Sequence, residues 1–249
     1  MIVATLILNV FLLFSYIVGG IGGFPNSDKI LSEPVIDRLL RPAHLKTIGL
    51  EATDIWEISD APNDLSWISV SCDSTGQYAV AVTENGGLIY TSSNFGAAWN
   101  VSLDLGPEVF WKSVVSDASG QYLVAVQNPG PIYVSMNGGS NWTMSGADSL
   151  PWADVDSDDS GRRVIAAAGS TVNATSAVYL STDYGMTFTR STAPEAGSYV
   201  YVVSDSLGQN LVAILFSRGM YISTNFGLNW LPTSAPALIW GGLASDASG

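Results

Sequence analysis

Residues 67–82, from Trp67 to Val82, read WISVSCDSTGQYAVAV. The same line returns over residues 111–126 as WKSVVSDASGQYLVAV, from Trp111 through Asp117 and Gly120 to Val126. It returns again from Trp152 through Asp158 and Gly161 to Ala167, and from Tyr199 through Asp205 and Gly208 to Ile214. A fifth start runs from Trp240 through Asp246 to Gly249. The period is about 43 residues, and short apolar runs broken by Gly turns at that period describe four-stranded propeller blades. The class is therefore all-β: a β-propeller of antiparallel blades, with four blades and the start of a fifth. In the first blade the reading predicts an inner strand from Trp67 to Ser71 and a second from Tyr78 to Val82. A third follows from Leu88 to Ser92 and an outer one from Trp99 to Leu103. The column Val70, Val114, Val155, Val202, Leu243 is apolar in every copy, so it is expected to face a neighbouring blade.

A second landmark sits inside each unit. It comprises Ser92, Asn94, Gly96 and Trp99, then Ser135, Asn137, Gly139 and Trp142. The third copy has Ser181, Asp183, Gly185 and Phe188, and the fourth Ser223, Asn225, Gly227 and Trp230. The pattern is Ser-x-Asp/Asn-x-Gly-x-x-Trp/Phe. Its chemistry is that of a closed turn. The Asn or Asp side chain bonds backbone NH groups further along, and the Ser hydroxyl can do the same. The Gly takes a backbone conformation that a Cβ resists. This pattern resembles the Asp-box, or bacterial neuraminidase (BNR) repeat, of sialidase-like propellers. The resemblance covers residues 67–249 and implies that each box joins the third and fourth strands of a blade. Three of the four copies carry Asn, which keeps the acceptor and drops the charge, as suits a staple. Phe95, Tyr184 and Phe226 lie inside the boxes and are read as packing residues.

The rest of the chain is read around the blades. Residues 1–23 form an apolar run, Ile2 to Val18, followed by Gly19, Gly20, Gly22 and Gly23. This suits a signal peptide or a signal anchor, either of which places the remainder outside the cytosol. Three sequons, at Asn100, Asn141 and Asn173, fit that location. Residues 24–55 read as a linker or short helix, with His44 as a surface residue. Residues 56–249 form the Asp-box propeller. Trp56 to Ser59 resembles an outer strand without its own inner strands, and Gly249 falls between two strands of a unit. The expectation is therefore an incomplete six- or seven-bladed propeller in which Trp56 to Ser59 clasps the last blade.

The chain has 249 residues, nine Lys+Arg against 22 Asp+Glu, one Cys and one His. The net charge of −13 argues against a phosphate-clamping nucleic-acid binder. The single Cys72 and His44 exclude a disulfide scaffold and a multi-His or Cys-based metal site. No cofactor and no metal are expected. The run Asp154, Asp156, Asp158, Asp159 fails as a calcium loop, lacking Gly at the sixth position and Glu at the twelfth.

Enzymes of the resembled family set the catalytic expectations. Sialidases imply an Arg triad and a Phe/Tyr-Arg-Ile-Pro motif. Here Arg41-Pro42 lacks the Ile, and no inner strand carries an Arg. Xyloglucan-cleaving members imply two carboxylates across a cleft. Asp154 and Asp156 stand where the other copies have Ser69, Ser113, Tyr201 and Gly242, or Ser71, Val115, Val203 and Ala244. Non-catalytic members, such as photosystem II assembly-factor and sortilin-type propellers, imply a protein, peptide or glycan ligand. The reading is thus a secreted or cell-surface binding module without catalytic residues, with a glycoside hydrolase as the alternative. Lys112, Asp154, Asp156 and Tyr201 are the candidate ligand residues at the channel mouth.

Overall fold

The computed structural model describes residues 59–169, 176–194, 197–216, 218–238 and 240–245. The expected leader, the linker, most of the Trp56 to Ser59 clasp and Asn173 lie outside them. The described residues form four separate four-stranded antiparallel sheets and no helix. Blade 1 is β1 (Trp67–Cys72), β2 (Ala79–Thr83), β3 (Leu88–Ser92) and β4 (Asn100–Asp104). Blade 2 is β5 (Trp111–Ser116), β6 (Leu123–Gln127), β7 (Ile132–Ser135) and β8 (Thr143–Met144). Blade 3 is β9 (Trp152–Ser157), β10 (Val164–Ala168), β11 (Ala177–Ser181) and β12 (Thr189–Arg190). Blade 4 is β13 (Tyr199–Ser204), β14 (Leu211–Leu215), β15 (Gly219–Ser223) and β16 (Leu231–Pro232). Each sheet is ordered by sequence, so every blade is a plain meander.

A bulge at the start of each inner strand sets which side chains face which blade. In blade 2, Trp111 pairs with Gln127 but Ser113 pairs with Val126, leaving Lys112 as the extra residue. The same slip occurs between Trp67 and Ser69, and between Tyr199 and Tyr201. In blade 3 it falls opposite Ala167 and Ala168. A bulge reverses the alternation of a strand. Trp111 and Val114 therefore join Leu123 and Ala125 on one face, packed on Val80, Val82 and Ile89 of blade 1. Val115, Val124 and Val126 take the other face, against Trp152 and Val155 of blade 3. Ile165 and Ala167 continue the pattern against Tyr199 and Val202 of blade 4.

The expected apolar column behaves accordingly at Val114, Val155 and Val202, which are all buried. Val70 differs at 44% exposure, because no described blade covers that face of blade 1. The bulge aromatics are the largest buried plugs: Trp111, Trp152 and Tyr199. Trp111 meets Tyr133 edge-on at 5.7 Å, and Trp152 meets Tyr179 at 5.1 Å, the geometry that aromatic quadrupoles favour.

Two turns recur. After each inner strand a buried Asp closes the first hairpin. Asp73 Oδ1 accepts from Tyr78 N at 2.9 Å, and Asp117 Oδ1 from both Gln121 N and Tyr122 N at 2.9 Å. Next to these turns the backbone links blade to blade, from Ser74 N to Ala118 O, Ala118 N to Asp159 O and Asp159 N to Ser206 O, each at 3.0 Å.

The second turn is the Ser-x-Asn/Asp-x-Gly hairpin, and it joins the third and fourth strands in all four blades. Ser92 Oγ accepts from Gly96 N at 3.0 Å while Asn94 Oδ1 accepts from Ala98 N at 2.8 Å. Ser135 with Asn137, Ser181 with Asp183, and Ser223 with Asn225 make the same pair of bonds. Trp99 lies in the turn and its Nε1 donates to Gly96 O, so β4 begins one residue later than the sequence predicts.

Residues 240–245, expected to open a fifth inner strand, carry no strand pairing. A strand needs a hydrogen-bonded neighbour, and none of the described residues supplies one there.

Candidate functional site

The inner strands hold every residue the sequence marks as a candidate ligand group. Lys112 is the exposed bulge residue of β5. Asp154 and Asp156 alternate on β9, on the face turned to blade 4. Tyr201 occupies the position of Asp154 one blade on, and is half-buried. Asp154 and Asp156 lie side by side on β9, and Tyr201 adjoins Val202, whose NH bonds Asp154. Among the described residues, the side-chain hydrogen bonds of the two carboxylates come from Ser113, Val202 and Ser204, not from Lys112 or Tyr201.

The carboxylates instead join neighbouring inner strands. Asp154 Oδ1 accepts from Ser113 Oγ of β5 at 2.8 Å, and Asp154 Oδ2 from Val202 N of β13 at 3.1 Å. Asp156 Oδ2 accepts from Ser204 N at 2.8 Å. Serines do this work between blades 1 and 2, where Ser69 Oγ accepts from Val114 N at 3.1 Å and Ser71 Oγ from Ser116 N at 3.0 Å. Asp154 and Asp156 therefore do between blades 3 and 4 what Ser69 and Ser71 do between blades 1 and 2, presenting an oxygen to the next blade's NH groups, whereas in blade 2 the column holds Val115 and Ser113, which donates to Asp154. A signal for this was present in the sequence, since the positions hold Ser twice in blade 1.

Charge alters the electrostatics of that seam. Burial pushes the Asp154 carboxyl up to about 6, against the opposing hydrogen bonds from Val202 and Ser113. Burial pushes Asp156 up to about 7, and the Asp154 charge beside it adds to the rise. Desolvation disfavours the ionised form, and a like charge nearby reinforces it. The pair can take up protons near neutral pH. A general acid, however, must aim its proton at substrate, and both oxygens of Asp154 are turned onto neighbouring strands.

Asn100 and Asn141 of the sequons are exposed. No group of three or more His, Cys, Asp or Glu side chains among the described residues is arranged to hold a metal ion. Cys72 is a free, half-buried thiol that burial makes less acidic.

No protein-family model and no curated protein matches the chain. Solved structures do. A GH74 enzyme of Niastella koreensis is 19% identical over 70% of this chain, with a TM-score of 0.55. YCF48 bound to D1 peptide is 14% identical over 69% of this chain, with a TM-score of 0.52. The nidogen/laminin complex is 16% identical over 70% of this chain, with a TM-score of 0.55. The chain spans 25% of the length of the first, 56% of the second and 65% of the third. At these identities the likeness is one of fold, and with the four meander blades it makes the described residues part of a β-propeller.

Proposed function

We propose that the chain is a non-catalytic binding propeller of the Asp-box kind, acting outside the cytosol on a protein or peptide partner. The observation that carries this reading is the engagement of Asp154 and Asp156. They are the carboxylates on the inner strands among the described residues, and both lie side by side in one seam as acceptors for the neighbouring strand. A glycosidase pair needs carboxylates on opposite sides of the scissile bond. The Asp-box assignment rests on four turns closed by the same two hydrogen bonds. YCF48 bound to a peptide and the nidogen/laminin complex support a protein or peptide partner. The apolar run from Ile2 to Val18 and the sequons support the location.

Two assays test the proposal. The full chain is incubated with xyloglucan and with sialyllactose, and no turnover is expected. Hydrolysis that disappears in Asp154→Asn, with the melting temperature retained, would establish the glycosidase alternative. In parallel, selection from a displayed peptide library should enrich a sequence that binds the chain saturably. Failure to enrich any sequence counts against a peptide partner.

A further inference from the structure

The outer seams between blades repeat one contact, and one seam lacks it. The residue two after each Gly of the first turn is Tyr78, Tyr122, Arg163 or Asn210. The residue before each box Gly is Phe95, Gly138, Tyr184 or Phe226. Across the seam between blades 2 and 3, Tyr122 stacks on Tyr184 with ring centroids 4.3 Å apart. Across the seam between blades 3 and 4, the Arg163 guanidinium lies 4.1 Å over the Phe226 ring. Across the seam between blades 1 and 2 the partner of Tyr78 would be residue 138, and it is Gly.

The backbone there is unchanged. Gly138 has φ 64°, against 62°, 64° and 60° at Phe95, Tyr184 and Phe226. Only the ring is missing. Its place is an open cleft of about 540 Å³ lined by Tyr78, Gly138 and residues of both blades. That volume lies within the range of small-ligand sites, about 300–1,000 Å³. Tyr78 is 46% exposed, whereas Tyr122 and Arg163 are half-buried. The base of the Tyr78 side chain packs on Gly120, where an added Cβ would lie 2.8 Å from the Tyr78 Cβ.

The lining chemistry narrows the occupant. None of the lining residues is charged. Thr91, Ser93, Asn100 and Ser140 line the cleft, the last three exposed, and among the described residues no side-chain hydrogen bond engages these four polar groups. An aromatic platform ringed by uncharged hydroxyls and an amide matches a sugar ring, whose C–H face lies on the aromatic while its hydroxyls meet the rim. A sugar ring carries hydroxyls around its whole edge that can meet these groups, which an apolar peptide side chain lacks. We propose that the cleft between Tyr78 and Gly138 is a binding site for a neutral saccharide. None of Lys112, Asp154, Asp156 and Tyr201 lines it, and it does not depend on the peptide-binding reading.

The test uses the full chain made in a host that does not glycosylate, so that Asn100 is bare. Cellohexaose, mannohexaose and maltohexaose are titrated by calorimetry, with the tripeptide Gly-Tyr-Gly and sialyllactose alongside. Saturable binding of at least one neutral hexaose is expected, weakened about tenfold or more by Tyr78→Ala, which removes the platform. Gly138→Tyr should abolish it by filling the slot with the ring that blade 3 carries. That variant should unfold at a temperature no lower than the parent, because three blades hold an aromatic at the same φ. Absence of binding to all three hexaoses overturns the proposal. So does binding that survives Gly138→Tyr, or binding confined to the tripeptide or to sialyllactose.

Discussion

Ser113 Oγ donates to Asp154 Oδ1 at 2.8 Å, and the other oxygen of that carboxylate accepts from Val202 N at 3.1 Å. One side chain thus ties the inner strands of three consecutive blades. Asp154→Ala strands the Val202 NH and the Ser113 hydroxyl in a packed seam. A buried unpaired group costs about 1–3 kcal/mol, so the variant should lose stability in that range. Asp154→Asn keeps an acceptor for Val202 and a donor toward Ser113, and should lose much less. Denaturant midpoints of the two variants decide this. Equal losses would remove the acceptor role.

The same seam gives the fold a pH dependence. Asp154 and Asp156 titrate at about 6 and about 7 in the folded state, against about 3.9 for an unfolded Asp. Between those values the folded chain binds more protons than the unfolded one, so stability falls as pH rises from about 4 to about 7 and levels off above. Each group contributes at most about 1.4 kcal/mol per pH unit. Asp156→Asn should flatten the upper part of that slope. Melting temperatures of the parent and variant across this window test it, and identical slopes would contradict the assignment.

The box hydroxyl should matter more than the box charge. Ser181 Oγ accepts from Gly185 N at 3.0 Å and donates to Asp183 Oδ1 at 2.7 Å, in a buried setting. Ser181→Ala is expected to cost about 1–3 kcal/mol through the stranded Gly185 NH. Asp183→Asn keeps the acceptor that the other three blades use but gives up the Oδ2 acceptor of the exposed Thr187 hydroxyl, 2.6 Å away, so it should cost about 0.5–1.5 kcal/mol, less than Ser181→Ala. Thermal unfolding of both variants measures the contrast.

Arg163 and Phe226 should couple. A cation over a ring is worth about 0.5–1 kcal/mol at the surface and more where it is desolvated, and half-buried Arg163 falls near the upper end of that range. A double-mutant cycle on Arg163→Ala and Phe226→Ala should return a coupling of that size. Additive losses would show that the two only happen to be adjacent.

Much of this arrangement was legible in the chain itself. The Trp111-to-Val126 line gave strand order and hairpin positions to within a residue, because apolar alternation and Gly turns act locally. The outer strands were less legible. β8, β12 and β16 are two residues long with exposed side chains, since an outer strand has one neighbour and little burial to extend it.

By itself the sequence determined the blade, its period of about 43 residues and its two closed turns, since each is written in side-chain chemistry within a short span. It did not determine where Asp154 and Asp156 point. That depends on the bulge beside Trp152, which reverses the alternation and turns both carboxylates onto Val202 and Ser204. Nor did it reveal what Gly138 leaves open. The missing ring became a cleft because blade packing places Gly138 and Tyr78, residues of two different repeats, along one cleft, and that juxtaposition exists only once the blades are assembled.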